Sequence, residues 1–264
     1  MKHNKAGLYA DILFVLIQLT LYAAFLYLDL TDANSMLSRN IKYCVILLCF
    51  CYALVQKNSA DRSIIFCIKA ALLFTLISDL FLLLLDYSTY GVLTFIVVQQ
   101  LYGVRLKLAE CNVQVGRLLF RKLSFRFLFQ LTAALCIIIV LALANIALNG
   151  LLTASVFYFI CIASNAVSAV KTAIASPGAK GSLLFAAGMV LFLLCDINVG
   201  LFNLSGFISM PEGLFHFADS VSAILMWTFY APSQVLITLS ISTLSFASSF
   251  PIRGNKYNNP GCGP

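Results

Sequence analysis

Charge is scarce in this chain. Only 10% of its 264 residues are Asp, Glu, Lys or Arg, against about 25% in an ordinary soluble domain. So few charges argue against a water-facing surface for a chain of this length. Histidine is scarcer still: His3 falls in the N-terminal tail and His216 in the loop before the last apolar run, which excludes a multi-histidine metal site. The nine cysteines (Cys44, Cys49, Cys51, Cys67, Cys111, Cys136, Cys161, Cys195 and Cys262) form no CxxC pair, so neither a zinc site nor a redox dithiol is signalled. Most lie in apolar runs and read as small, buried, reduced residues. There is no GxSxG elbow, Walker loop or dinucleotide fingerprint. Ser168-Ala-Val-Lys171 has SxxK spacing without its companion motifs, at a helix end, and is read as chance. Neither a metal nor an organic cofactor is expected.

Apolar side chain is what the chain has in abundance, at 61% hydrophobic residues. Runs of about 20 apolar residues recur from end to end, each long enough to cross ~30 Å of hydrocarbon. They predict an all-α bundle of eight membrane helices at Leu8–Leu28, Ile41–Val55, Ser63–Leu85, Tyr87–Lys107, Phe127–Leu148, Leu151–Val170, Gly181–Leu204 and Asp219–Thr243, the second being short. The first run follows Lys2 and Lys5, but it is too long for a signal-peptide core and lacks a small-x-small cleavage site. Turn signals separate the runs at Asp29–Asp32, Lys57–Asp61, Asp86, Asn149–Gly150, Ser176–Gly178 and Met210–Gly213. Residues 1–250 therefore read as one transmembrane domain, and 251–264, with Asn, Gly and Pro, as a flexible tail.

The net charge of +7 is distributed as on a membrane protein, and nucleic acid is not an expected partner. With eight spans and the N-terminus in the cytosol, fifteen of the seventeen Lys and Arg residues fall on the cytosolic side, among them an Arg105–Arg126 loop, and only Arg39 and Lys42 fall outside. The positive-inside rule then places both termini in the cytosol of a multi-pass cell-membrane protein. Membrane lipids are the expected surroundings, and the Arg105–Arg126 loop can touch anionic head groups.

Against that background two acids lie in the wrong solvent: Asp79, in Ile77-Ser-Asp79-Leu, and Asp196, in Leu194-Cys-Asp196-Ile. A charge at the bilayer centre costs at least ~2.5 kcal/mol. Both helices run outward, and both acids lie roughly 10–12 Å below the outer end, so they can share a cavity. Helical spacing supplies companions: Thr75 with Asp79 and Asp86; Asp196 with Gly200 and Asn203; Phe95, Gln99 and Tyr102 on the fourth helix; Tyr158 and Asn165 on the sixth; Trp227, Tyr230 and Gln234 on the eighth, which Pro232 bends; and Asp11, Gln18, Tyr22 and Asp29 on the first. For Gln18, Gln100 and Asn165 the simpler reading is interhelical hydrogen bonding. Asp29, Asp32, Asp86 and Glu212 read as solvated at helix ends.

Three motifs carry a family resemblance. One is Ser78-Asp79. The second is Gly188-x-x-Leu191-Phe192-x-x-Cys195-Asp196, where similar chains have Ser before the Asp. The third is Tyr230-x-x-x-Gln234-x-Leu-Ile237. In these, and in helix count over residues 1–245, the chain resembles the YhhN family of lysoplasmalogenase-like membrane proteins. It departs at Phe95-x-x-x-Gln99-x-x-Tyr102, where the family pattern has His; Gln99 hydrogen-bonds but cannot carry a proton. The resemblance implies a membrane hydrolase that cleaves the vinyl-ether bond of a lysophospholipid, with Asp79 and Asp196 dividing acid and base roles as paired carboxyls do in glycosidases. Two neighbouring acids titrate as a pair, and one shared proton gives one of each. Ser78, Gln99, Tyr102, Tyr158, Asn165, Tyr230 and Gln234 are the expected substrate-binding residues. Two alternatives stand beside it. One is a proton- or cation-coupled transporter or lipid-binding protein, since an Asp-bearing helix is third in each half of four. The other is a non-catalytic relative.

The topology is tested by cysteine labelling. Cys262 should react with a membrane-impermeant thiol reagent only after cells are permeabilised; labelling in intact cells would contradict cytosolic termini.

Overall fold

A computed structural model describes residues 5–56, 62–111, 116–203 and 212–247. Eight α-helices run in order: α1 (Lys5–Thr31), α2 (Ser35–Val55), α3 (Arg62–Asp79), α4 (Ser88–Cys111), α5 (Arg117–Leu143), α6 (Gly150–Ala175), α7 (Lys180–Phe202) and α8 (Glu212–Ala247). All eight are long and apolar enough to cross a membrane, and no strand occurs among the described residues. The bundle is that of a multi-pass membrane protein. Its outward-facing side chains are aliphatic and aromatic, above all on α5, where Phe129, Leu135, Val140 and Leu143 are exposed. In lipid such a face requires no partner.

Several boundaries differ from the sequence-based expectation. The second helix is not short: it starts at Ser35, where the Asn34 side chain accepts the Leu37 N–H at 2.9 Å. Arg39 and Lys42 made its first turns look polar, but Lys42 is neutralised by Asp29 at 2.8 Å. Asp29 is therefore not merely solvated; it also accepts from Ser38. The expected Arg105–Arg126 loop is mostly helix. Arg105 lies inside α4, while Arg117, Arg121, Lys122 and Arg126 lie in α5. The fifth helix consequently begins earlier than Phe127 and ends at Leu143, just before Asn145 adopts φ +57°. Finally, α8 begins at Glu212, so His216 lies in a helix rather than a loop. Cys262 and the 251–264 tail lie outside the described residues.

The polar stripe of α1 docks it on its neighbours. Asp11 accepts from Tyr52, Gln18 donates to the Val45 carbonyl at 3.0 Å, and Tyr22 donates to the Thr228 carbonyl at 3.4 Å. That last acceptor exists because of Pro232. Proline has no N–H to give the carbonyl four residues back, so the freed Thr228 oxygen is met from α1.

The tightest helix pair is α7–α8. A Cβ on Gly188 would lie 2.9 Å from the Ser233 carbonyl oxygen and 2.7 Å from Ile237. Close approach of backbones through small residues is a main source of helix affinity in lipid. Gly188→Ala should therefore destabilise the bundle by about 1–3 kcal/mol, the usual cost of overpacking. Gly200→Ala, where the added carbon meets nothing within 4 Å, should leave the melting temperature in detergent unchanged or raised. Equal melting of Gly188→Ala and the parent would contradict the packing.

Candidate functional site

Asp79 is the last residue of α3, and there the helix loosens into a π-helical turn, Leu80–Leu84, closed by Leu85 N–H to the Leu80 carbonyl at 3.1 Å. Such single wide turns re-aim side chains and recur at functional positions. Gly91 lets α4 nest against this turn, since a Cβ there would sit 2.5 Å from Leu82 Cγ. Ser78 ties the two helices together, its hydroxyl donating to the Gly91 carbonyl at 2.6 Å. Asp196 comes from the last third of α7, six residues before Phe202. The two acids lie about 7–9 Å from the neighbouring helix ends by residue rise.

Both face one cavity of about 540 Å³. Each acid is held by a tyrosine from a different helix. Tyr230 on α8 donates to Asp79 Oδ2 at 2.7 Å, and Tyr158 on α6 donates to Asp196 Oδ2 at 2.7 Å. Neither Oδ1 receives a hydrogen bond among the described residues. Phe95 lies between the two pairs, its ring centroid 5.8 Å from Tyr158, 6.4 Å from Tyr230 and 5.7 Å from Phe192. Trp227 backs Tyr230 at 5.4 Å and carries the Lys42 ammonium 4.6 Å from its own centroid. The outer wall is aliphatic: Leu82, Leu83, Ile137, Leu141, Leu151 and Val199. Polar side chains on that wall, Ser88, Ser155 and Asn203, lie toward the helix ends.

Of the residues expected from sequence, Asp79, Asp196, Tyr158 and Tyr230 meet at this cavity. The other expected substrate-binding residues do not line it, while the companions Phe95, Gly200, Asn203 and Trp227 do. Ser78 fastens α3 to α4, as above. Gln99 and Asn165 form a buried layer next to Tyr158. Asn165 Nδ2 donates to Gln99 Oε1 at 2.9 Å and to the Gln99 carbonyl at 2.7 Å, and Gln99 stands close to the Tyr158 hydroxyl. Tyr102 and Gln234 are fully buried one level further in.

Sequence reasoning missed the arginines. Arg126 leaves the expected loop and reaches the core, donating to Asn165 Oδ1 at 2.9 Å. It crosses α4 over Gly103, where any Cβ would overlap its guanidinium. Arg105 is 1% exposed, its guanidinium carbon 3.6 Å from the Phe185 ring centroid. The available signals were Gly103, a residue without a side chain inside a helix, and Arg126 flanked by Phe125 and Phe127. Among the described residues no cluster of His, Cys, Asp and Glu has the arrangement of a metal site.

A bundle of eight membrane-length helices built around a pair of tyrosine-capped aspartates defines a polytopic membrane protein with an internal acid pair. The YhhN family model matches residues 37–241, which include both aspartates and both tyrosines, and the chain belongs to the YhhN family. No curated protein and no solved structure matches it.

Proposed function

We propose that the protein is a lysoplasmalogenase-type hydrolase that cleaves the vinyl-ether bond of a single-chain phospholipid. The observation that carries this reading is the meeting of Asp79 and Asp196, from α3 and α7, at one apolar-walled cavity, each oriented by a tyrosine hydroxyl. An apolar wall suits one alkenyl chain. In such a lipid the reactive bond lies only a few atoms from the phosphate, which suits acids set less than 10 Å below the helix ends. The polar residues near those ends, Ser88 and Asn203, then lie on the head-group side.

The reaction needs one acid and one base. A protonated aspartate gives its proton to the vinyl carbon remote from oxygen, and the double-bond electrons form the new C–H bond. The adjacent carbon becomes an oxocarbenium centre. The ionised aspartate stabilises that cation and takes a proton from the water that adds to it. The hemiacetal then gives its hydroxyl proton to the first aspartate as its bond to the glycerol oxygen breaks, the second aspartate protonates that oxygen, and a fatty aldehyde and a glycerophospho head group are released. One water is consumed, and both carboxyl groups end in their starting states. Phe95 lies between the two acid–tyrosine pairs, and aromatic faces favour a nearby cation. Gln99, standing where similar chains have histidine, positions Tyr158 rather than relaying protons. The cell membrane, with cytosolic termini, is the proposed location, and no cofactor is invoked.

The test is aldehyde release by the purified, reconstituted protein from a panel of vinyl-ether, alkyl-ether and ester lysolipids. Only the vinyl-ether lipid should yield aldehyde. Asp79→Asn and Asp196→Asn should each lower turnover by about a hundredfold or more, the scale of a lost acid–base group. Folded Asn variants with parental turnover, or a parent inert on the whole panel, would overturn the hydrolase and favour a non-catalytic relative.

A further inference from the structure

Beneath the cavity, the centre of the bundle is polar where an apolar core would suffice. Three helices carry a polar ladder away from the acid site at helical spacing. On α3, Thr75 lies one turn from Asp79. On α4, Gln99, Tyr102 and Arg105 follow Phe95. On α8, Gln234 and Thr238 follow Tyr230. All six residues are at most 1% exposed. Each presents a buried polar atom that no protein group meets in hydrogen-bond geometry: Thr75 Oγ1, Gln99 Nε2, which stands near the Tyr158 hydroxyl, Tyr102 Oη, Arg105 Nε, Gln234 Oε1 and Thr238 Oγ1. Only one other such side-chain atom occurs among the described residues, Gln18 Oε1, and Gln18 hydrogen-bonds Cys49 from the far side of the same region.

The threonines are informative. Thr20, Thr94, Thr132, Thr172 and Thr228 each satisfy their hydroxyl on the carbonyl four residues back, the ordinary solution inside a membrane helix. Thr75 and Thr238 do not, and their hydroxyls point across the bundle instead. Thr75 lies close to Tyr102, and Thr238 close to Cys49, without meeting hydrogen-bond geometry. Arg105 ends the ladder. It makes no ion pair among the described residues, and its guanidinium stacks on Phe185. A cation with five N–H donors held this way needs oxygen acceptors. By residue rise Arg105 lies about 15 Å from Phe95 and about 9 Å from the end of α4.

We infer that a file of water molecules threads the bundle along Thr75, Gln99, Tyr102, Gln234, Thr238 and Arg105, joining the arginine-bearing end to the floor of the two-aspartate cavity. Buried waters bridge groups of this kind, polar atoms on separate elements that are close but not in contact. The file stands apart from the proposed hydrolysis except in one respect: if the site hydrolyses lipid, this file supplies the water consumed. A lipid chain entering between the aliphatic walls closes the cavity to solvent from that side, and water arriving from the opposite end does not compete with it.

Hydroxyl-radical footprinting by X-ray radiolysis, read by mass spectrometry on the full chain in nanodiscs, tests the file without reference to activity. Radicals form from bound water, so a buried side chain beside water is oxidised and an equally buried dry one is not. Tyr102 should be oxidised about tenfold faster than Phe25, which is as deeply buried. Combining Thr75→Val with Thr238→Val should slow Tyr102 oxidation severalfold. If the hydrolase is established, the same pair should lower kcat and leave KM unchanged. Tyr102 oxidised no faster than Phe25 would overturn the file, even if aldehyde is released. Rapid oxidation of Tyr102 in a protein that releases no aldehyde would support the file while removing the hydrolase.

Discussion

A carboxyl group below a membrane surface has to be met by donors from elsewhere in the fold, because its own helix has already used its N–H groups. Here the donors are Tyr230 for Asp79 and Tyr158 for Asp196, each across a helix interface and each at 2.7 Å. Much of the arrangement follows from bringing those four residues together. The π-helical turn after Asp79 presents that acid inward. Gly91 and Ser78 lock the turn to α4, and α4 delivers Phe95 between the two pairs. Gly188 brings α7 against α8, so that Asp196 and Tyr230 face one space. Pro232 frees the Thr228 carbonyl for Tyr22, and this seats α1 against the same helix. Small residues, a proline and a wide turn thus serve one geometric end: two acids on one cavity.

The number of helices was legible because membrane thickness imposes a length on apolar runs, and the family was legible in three short motifs. Asp79 and Asp196 stood out because an acid in an apolar run has a high cost and few structural excuses. Tyr158 and Tyr230 were legible from helical spacing. The departures have physical causes. Lys42 hid the start of α2, since a lysine reads as an exit from the membrane unless its partner, Asp29, is known to lie 2.8 Å away on another helix. Arg105 and Arg126 were read as a loop because charge count registers residue type and not direction. Whether an arginine snorkels to water or turns into the bundle depends on what lies opposite, here Phe185 and Asn165. Gln99, Tyr102, Asn165 and Gln234, expected as substrate-binding residues, are buried in the bundle but do not line the cavity. Their separation from the cavity by a layer of side chains is a matter of depth that periodicity does not carry.

Two kinds of burial divide the interior. Around the acids the walls are aliphatic and aromatic, and each carboxyl is met through one oxygen by a tyrosine. Further in, the core is rich in hydroxyls and amides left without protein partners. Apolar walls suit a lipid chain, and unpaired hydroxyls suit water. In the proposed reading, a hydrolase acting on a lipid needs both in separate volumes, and the run along α4 from Phe95 through Gln99 and Tyr102 to Arg105 offers each its own stretch of the bundle.

The central claim is that Asp79 and Asp196 act as one unit. A double-mutant cycle on turnover measures this most directly, with Asp79→Asn, Asp196→Asn and the combined variant assayed on the same vinyl-ether lipid. Groups sharing one step are strongly non-additive. The account predicts that the combined variant is little slower than the slower single one. Losses that multiply would show two independent acids and contradict it.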